Sequence, residues 1–354
     1  MLRHTTRPRA HKGSARFSRV LAPLVGGLCL AACTTQTRLP PTCLLGTSVA
    51  TIFTSTDGSV TQPALSYGGP LFLTTPTSVL ALSIVGGVPP QMVIDAEGPS
   101  RVEAIGEQFY FQASSASGAG DPQPAADASP QLFSGSYGRT GLTTIDGLGA
   151  FSPITSDASS IYLLSGSTLE RLPTYGSATM LASDTSLFIY DAAVGTDYLY
   201  VAALDTTVGG STNGVIGRTP LDGTGTMERI VTGIGHPIRI AADETSLYWA
   251  EDPPALYGAG PGRLARSNLD GSAPTTLLPK EPISFVASNG RLYLSFGTEI
   301  DVMAASGGPT YPVARGLSTA GLLLVADDEL FWVDPFSQAL SGTAPTLVQA
   351  VCIP

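Results

Sequence analysis

The sequence contains few charged residues for its length. Of its 354 residues only 13% are charged, with 18 Lys and Arg against 28 Asp and Glu, and the formal net charge is −10. An ordinary soluble domain has about 25% charged residues. Nucleic-acid-binding proteins use clustered Lys and Arg to neutralise phosphates, and an acidic chain that is poor in both lacks this feature. The composition therefore predicts that nucleic acid is not a partner.

Strong helix-forming composition is also missing. The chain has 40 glycines and 28 prolines, about 19% together, against about 12% in average proteins. Neither residue is well tolerated inside helices, so a mainly helical fold is excluded. The hydrophobic fraction of 43% is high enough for a large packed core, which argues against global disorder. The composition predicts a large all-β protein with many turns.

The amino-terminal segment is basic and then apolar. Six Lys and Arg residues and no acidic residue lie within residues 1–19, and an apolar run of eleven residues follows at 20–30. A basic segment, an apolar segment and then small residues are typical of a secretory signal. The apolar run is too short to cross a bilayer, which needs about 20 residues.

The run ends at Leu30-Ala31-Ala32-Cys33, which resembles the lipobox of bacterial lipoproteins. The resemblance implies cleavage after Ala32, a diacylglycerol on Cys33 and acylation of the new amino terminus, so the chain would be anchored to a membrane through lipid. Thr34 is not the aspartate that retains such lipoproteins in the inner membrane, so the same resemblance implies the outer membrane. The alternative is an ordinary secreted protein with a cysteine at its cleavage site. We expect a leader at 1–32, a lipidated polar tether at 33–47 and a folded domain at 48–354.

Cysteine is scarce, and only two thiols remain after Cys29 in the leader and the lipidated Cys33. Cys43 lies near the start of the mature chain and Cys352 near its end. Two leftover cysteines in an exported protein usually pair, so we expect one disulfide bond between them. In the chain-entropy model such a bond, closing a loop of about 310 residues, contributes roughly 5–6 kcal/mol. Two unpaired thiols are the alternative. An end-to-end bond suits a fold whose termini meet, as in a closed ring.

Seven short strands share one pattern, an aromatic residue beside aliphatic ones. The intervals between these aromatics are 38 to 52 residues. The aromatics are Phe72, Tyr110, Tyr162, Tyr200, Tyr248, Tyr293 and Phe331. Repeats of 40–50 residues with several strands each are typical of propeller blades. We therefore predict a β-propeller of seven four-stranded blades. The alternative has six blades and a closing strand in place of one terminal unit, and residues 49–54 are the candidate for that strand.

The rest of each repeat supports this interpretation. Asp222-Gly223 and Asp270-Gly271 follow the third strands of two units, and Asp-Gly favours tight turns because glycine adopts positive φ. We expect the repeated aromatics to pack between adjacent blades, where they bury a large area. The long segments 113–131 and 203–213 are expected to be solvated loops, with recognition loops as the alternative.

The fifth unit carries a family resemblance. Its segment Ser246-Leu247-Tyr248-Trp249-Ala250-Glu251-Asp252 resembles the YWTD repeats of low-density-lipoprotein-receptor-type propellers. The segment from Arg266 to Gly271 resembles the strand and turn that follow in that repeat class. The wider group that the chain resembles includes NHL-type propellers and bacterial lipoproteins built from such repeats. The resemblance implies the fold and does not indicate a ligand.

Histidine is nearly absent, which limits the possible chemistry. Once the leader is removed, His236 is the only histidine, so a multi-histidine metal site cannot form and any Ser-His-Asp triad would need this residue. His236 precedes the first strand of the fifth unit, a connection that lies at the channel mouth of propellers. It is therefore a candidate pocket residue. The acidic pairs at 243–244, 251–252 and 327–328 would bind Ca²⁺ only if they converged, and a solvated surface is the competing interpretation.

These observations predict a lipid-anchored extracytoplasmic propeller that acts as a non-catalytic binding or scaffolding module of the cell envelope. The expected ligand is a protein, a peptide or a glycan, and we expect a monomer with no cofactor and no catalytic residues. The alternative function is a propeller lyase or hydrolase that uses His236 or a Ca²⁺ ion at the channel mouth.

Overall fold

All regular secondary structure in the described residues consists of β-strands. The computed structural model describes residues 50–55, 62–65, 70–82, 92–117, 129–139, 141–210, 212–252, 262–326, 328–335 and 346–353. The predicted leader and tether, with Cys33 and Cys43, lie outside these residues, as does Asp327. Within the described part of the chain no helix is long and apolar enough to span a bilayer.

The strands form seven sheets, each built mainly from consecutive strands, and this confirms the predicted seven-bladed propeller over the six-bladed alternative. The first strand of the described part of the chain is β1 (Ala50–Ser55). Blade 1 follows as β2 (Gln62–Leu65), β3 (Leu71–Thr74), β4 (Ser78–Leu82) and β5 (Met92–Glu97). The next strands are β6 (Glu103–Ile105), β7 (Gln108–Ala113), β8 (Ser115–Ser117), β9 (Gln131–Ser136) and β10 (Leu142–Ile145), and all except β8 make up blade 2.

Blades 3 to 5 are regular four-stranded sheets in sequence order. Blade 3 is β11 (Ser152–Ser156), β12 (Ser160–Ser165), β13 (Thr168–Pro173) and β14 (Thr179–Ser183). Blade 4 is β15 (Leu187–Val194), β16 (Tyr198–Asp205), β17 (Gly214–Pro220) and β18 (Glu228–Ile234). Blade 5 is β19 (His236–Ala242), β20 (Ser246–Asp252), β21 (Arg263–Asn268) and β22 (Thr275–Leu278).

The remaining strands complete the ring. Blade 6 is β23 (Ser284–Ser288), β24 (Arg291–Ser295), β25 (Gly297–Ala304) and β26 (Tyr311–Ala320). Blade 7 contains β27 (Leu323–Ala326), β28 (Glu329–Pro335) and β29 (Thr346–Cys352). Its fourth strand is β1, which pairs antiparallel with β29 from Ala50 opposite Ala350 to Ser55 opposite Thr346. The segment proposed for closure in the six-bladed alternative therefore closes the seven-bladed ring, because the first described strand completes the last blade.

The seven repeated aromatics lie on the second strands β3, β7, β12, β16, β20, β24 and β28, and all are buried. Each belongs to a hydrophobic cluster that joins two neighbouring blades. Tyr248 of blade 5, for example, packs with Leu292 and Leu294 of blade 6. At the seam, Phe331 of blade 7 packs with Leu71 and Leu73 of blade 1. The prediction that these aromatics pack between blades is confirmed.

Arginines on third strands also connect neighbouring blades. Arg171 of blade 3 donates from Nη1 to the carbonyl of Leu221 in blade 4 over 3.3 Å, and Arg218 of blade 4 donates to Leu269 of blade 5 over 3.4 Å. Both acceptor carbonyls lie in the Leu-Asp-Gly turns, where Gly223 and Gly271 adopt φ of 72° and 81°. The turn signal read from the sequence therefore marks a contact between blades as well as a change of direction.

The two segments predicted as loops both contribute to strands. Within 113–131, β8 pairs with β5, so a piece of chain from blade 2 adds a fifth strand to blade 1. Within 203–213, residues 203–205 extend β16. The short segment of β8 lacks a strand pattern of its own, and pairing with the edge strand β5 decides its structure. Residues 203–205 continue the apolar run of β16, which pairs with β15 and β17.

Candidate functional site

The channel at the centre of the ring holds two cavities of about 310 and 300 Å³. One cavity lies nearer the starts of the first strands of the blades, and the other lies nearer their ends. In β11 the first cavity contacts residues 152–154 and the second contacts residues 155–156. In β15 the corresponding ranges are 190–191 and 191–194. We call the cavity nearer the strand starts the entry chamber, and the one nearer the strand ends the exit chamber.

Four residues line both chambers and therefore mark the boundary between them. They are Arg101, Asp191, Arg239 and Leu322, which we call the girdle. Asp191 and Arg239 are at matching positions in adjacent blades, because each directly follows a bulged residue of the first strand and faces an alanine on the second, Ala202 or Ala250. A bulge changes the direction of the side chains beside it. The repeat thus places an acid and a base side by side in the channel.

Arg101 is bound by carboxylates on both sides. Its Nε lies 2.6 Å from Oε1 of Glu103, and its Nη1 lies 3.7 Å from Oδ1 of Asp191. Glu103 is buried, and its other oxygen accepts a hydrogen bond of 3.0 Å from Ser156 of blade 3. Burial opposes the charge of Arg101, but Glu103 and Asp191 favour it and raise its pKa above the ordinary value. The positive charge of Arg101 is therefore neutralised within the protein.

Asp191 is a buried carboxylate held mainly by backbone. Its Oδ2 accepts a hydrogen bond of 3.1 Å from the N–H of Ile240 in the next blade. Burial raises the pKa of Asp191 above its ordinary value, although Arg101, Arg239 and the N–H groups of Ile240 and Ala192 favour the charged form. A carboxylate in this setting joins the inner edges of two blades.

Arg239 differs from Arg101 because no ion pair and no hydrogen bond to another described residue engages its guanidinium. Asp191 attracts this guanidinium electrostatically at longer range. A guanidinium carries five N–H donors. Among the described residues, no protein group occupies the donors of Arg239, so they are available to a ligand.

An exposed aromatic pair borders the entry chamber. Tyr190 is the bulged residue of β15 and lines the chamber, with 41% of its surface exposed. Phe188, which is 54% exposed, packs edge-on against it with ring centroids 5.0 Å apart. Pro153, Ile154 and Leu164 add an apolar wall. Aromatic surface beside a guanidinium is typical of a binding site for a small ligand.

His236 is the half-buried first residue of β19 and lies opposite Asp252. Strand β19 contributes residues 239–242 to the described linings of the two chambers, and His236 is not among the lining residues. The contacts of Gly235, the residue before His236, explain why a glycine occupies that position. The N–H of Gly235 donates to Oε2 of Glu251 over 2.9 Å, and a Cβ at Gly235 would lie 2.8 Å from that oxygen. A role for His236 in a pocket stays a prediction.

The acidic pairs are placed apart in the blades. Asp243 precedes β20 and accepts hydrogen bonds from the N–H of Ser246 and the hydroxyl of Tyr248. Glu251 lies near the other end of the same strand and binds Arg263 and the indole N–H of Trp249. In the described part of the chain no three His, Cys, Asp or Glu residues are arranged to hold a metal ion. Asp243 and Glu251 act as internal hydrogen-bond acceptors.

The cysteines are described in part. Cys352 is the last residue of β29, and Cys29, Cys33 and Cys43 lie outside the described residues. The pairing of Cys352 with Cys43 and the lipidation of Cys33 stay predictions.

The girdle is absent from the sequence-based candidates, although a signal for it exists. Asp191 interrupts the apolar run of β15 and Arg239 interrupts that of β19. A charged residue inside an apolar strand indicates a partner or a ligand. Their matching positions become visible only once the bulges fix the register of the two blades.

No protein-family model matches the chain, and no curated protein matches its sequence. Solved structures share the fold. One is the β-propeller domain of the Trilobed protease from Pyrococcus furiosus, with a TM-score of 0.56 and 10% sequence identity. The match covers 82% of this chain and 95% of that domain. The WD40 β-propeller domain of Doa1 has a TM-score of 0.55 and 10% sequence identity, and the match covers 86% of this chain and 97% of that domain. BamB from Moraxella catarrhalis has a TM-score of 0.51 and 10% sequence identity, and the match covers 82% of this chain and 85% of BamB. At such identities the likeness shows the fold alone.

Proposed function

We propose that the chain is a lipid-anchored, non-catalytic binding module of the cell envelope whose ligand site is the entry chamber. The observation that carries this proposal is the exposed pair Phe188 and Tyr190 beside the unengaged guanidinium of Arg239. Folding gains free energy by burying aromatic rings, and most of the other aromatics of this ring are buried. Exposed rings at an open chamber are therefore available to a ligand.

A binding role suits the chemistry of the chamber better than catalysis does. The described residues that line the chambers include no histidine, cysteine or lysine. Asp191 is held by the N–H of Ile240, and Glu103 is held by Arg101 and Ser156. A general base must be free to take a proton from a substrate, whereas these carboxylates stabilise the inner strands.

The proposed location in the cell envelope is based on the sequence. The basic and apolar leader, the box ending at Cys33 and the Thr34 that follows support export, lipidation and the outer membrane. A tether at 33–47 is long enough to hold the propeller away from the lipid surface. The ligand is then a protein, a peptide or a glycan that the envelope contains or takes in.

Site-specific photocrosslinking tests this function in cells. We would replace Phe188 by p-benzoylphenylalanine in the full-length chain, irradiate the cells and analyse the envelope fraction by mass spectrometry. Tyr175 is the matched control, because it is 88% exposed and lies between β13 and β14, away from both chambers. We expect one defined crosslinked product from position 188 that position 175 does not give. No product, or the same products from both positions, would contradict the proposal.

A further inference from the structure

We infer that the entry chamber binds a monocarboxylate joined to an aromatic or aliphatic group, such as the carboxyl-terminal residue of a peptide. This inference rests on the proposed function and names the ligand chemistry of the same site. Three properties of the chamber support it: a guanidinium with unused donors, an aromatic wall, and fixed charges that disfavour a dianion.

The guanidinium fixes where the carboxylate lies. Arg101 already faces Glu103 at 2.6 Å and Asp191 at 3.7 Å, whereas Arg239 has no such contact among the described residues. Arginine presents parallel N–H groups that match the two oxygens of a carboxylate, and such charge-assisted pairs are stronger than neutral hydrogen bonds. The carboxylate of a ligand therefore binds Arg239.

The aromatic wall fixes what is attached to the carboxylate. Tyr190 reaches the same chamber as Arg239, and Phe188 extends the aromatic surface outwards. Ile154, Pro153 and Leu322 line the chamber as well. Burying apolar ligand surface against them removes it from water and favours binding. A purely ionic ligand would leave this wall exposed to water.

The fixed charges favour a monoanion over a dianion. The acidic side chains Glu103 and Asp191 offset the two guanidinium groups of Arg101 and Arg239. A monoanion adds one negative charge, which lies beside the guanidinium of Arg239. A dianion such as a phosphate monoester would place a second negative charge close to Asp191, and like charges repel.

The size of the chamber limits the ligand. A volume of about 310 Å³ lies at the lower end of small-molecule sites. It accommodates one residue-sized group and not a folded segment. A terminal residue of a peptide and a free small carboxylate share this chemistry, so the test must separate these two sources.

Isothermal titration calorimetry with matched probes provides the test. The probes are N-acetylphenylalanine, its primary amide, phenyl phosphate and 3-phenylpropionate, titrated into the folded chain. We expect N-acetylphenylalanine to bind about tenfold or more tightly than its amide and than phenyl phosphate, since a lost ionic hydrogen bond typically costs an order of magnitude in affinity. Tighter binding of N-acetylphenylalanine than of 3-phenylpropionate identifies a peptide terminus, and equal binding identifies a free small carboxylate.

Two variants assign the effect to the girdle. Arg239→Gln should abolish the preference for the acid over the amide, whereas Arg139→Gln, at an exposed turn after β9, should retain it. Equal binding of acid and amide to the wild-type chain, or no binding of the acid at about 10 mM, overturns the inference without any variant. A retained preference in Arg239→Gln also overturns it. If these results occur while Phe188 still gives its specific crosslink, the binding function stands and only the ligand class is wrong.

Discussion

The carboxylate of Asp191 in blade 4 accepts a hydrogen bond of 3.1 Å from the backbone N–H of Ile240 in blade 5. The two residues are 49 positions apart in the chain and lie on neighbouring first strands. A buried carboxylate needs such donors, because an unpaired charge in this position would be strongly destabilising. The bond therefore holds the inner edges of the two blades together and leaves the adjacent Arg239 available to the channel.

Loss of an arginine contact between blades should destabilise the ring. In Arg171→Met the hydrogen bonds of Arg171 to Ser160 and to the carbonyl of Leu221 are lost. We expect a decrease of about 1–2 kcal/mol in the free energy of unfolding, because two partly buried acceptors lose their donor. The measurement is urea unfolding followed by circular dichroism. Arg139→Met is the control and should change stability by less than about 0.5 kcal/mol. Equal effects of both substitutions would show that the contact between blades is dispensable.

Glu281 should make stability depend on pH. Burial, and then the nearby charge of Asp252, raises the pKa of Glu281 from 4.5 to about 7. Between these values the folded state binds a proton that the unfolded state releases, so the stability of the wild-type chain falls as pH rises through this window.

Glu281→Gln tests this sign. The variant cannot ionise, so we expect it to exceed the wild-type chain in stability at pH 8 and to differ from it less at pH 5. Urea unfolding at both pH values measures the difference. The exposed Glu107 provides the control, since Glu107→Gln should show the same small difference at both values. A Glu281→Gln variant with no advantage at pH 8 would contradict the assignment.

The order of strands could be predicted from the sequence because it depends on local signals. The aromatics from Phe72 to Phe331 recur once per blade, and the Asp-Gly turns punctuate the third strands. Both signals report burial and backbone geometry within a few residues. The blade number and the inter-blade role of the aromatics followed from them.

The channel could not be predicted in the same way because its residues meet across blades. Asp191 and Arg101 are 90 positions apart and face each other only after the ring has closed. The contact of Arg171 with Leu221 depends on how one blade packs on the next. The pairing of β8 with β5 depends on an edge that only the folded blade 1 provides. Periodicity along the chain contains no information on these contacts.

Lipidation at Cys33 is predicted from the leader. Radiolabelled palmitate should be incorporated into the wild-type chain and not into Cys33→Ser, because the thiol is the site of the diacylglycerol in the lipobox interpretation. Labelled protein should sediment with the outer membrane. As a control, Cys29→Ser alters a cysteine of the leader and should be labelled normally. Equal labelling of the wild type and Cys33→Ser would exclude this anchor.

A disulfide between Cys43 and Cys352 is predicted to join the two ends of the ring. Cys352 ends β29, which pairs with the amino-terminal β1, so a bond there would secure the seam where blades 7 and 1 meet. Cys43→Ser or Cys352→Ser should lower the melting temperature by several degrees, and the double variant should cost no more than either single one. Intact-mass analysis after alkylation checks the pairing directly. Two alkylatable thiols in native, non-reduced protein would show that the bond does not form.

The most direct test of the binding site is a crystal structure of the chain with N-acetylphenylalanine. We expect the carboxylate of the bound N-acetylphenylalanine to lie about 3 Å from the guanidinium of Arg239, a normal distance for an ionic hydrogen bond. Its ring should lie about 5 Å from the ring of Tyr190, a normal distance for aromatic contact. A ligand bound outside the entry chamber, or an entry chamber that stays empty at saturating ligand, would contradict the account.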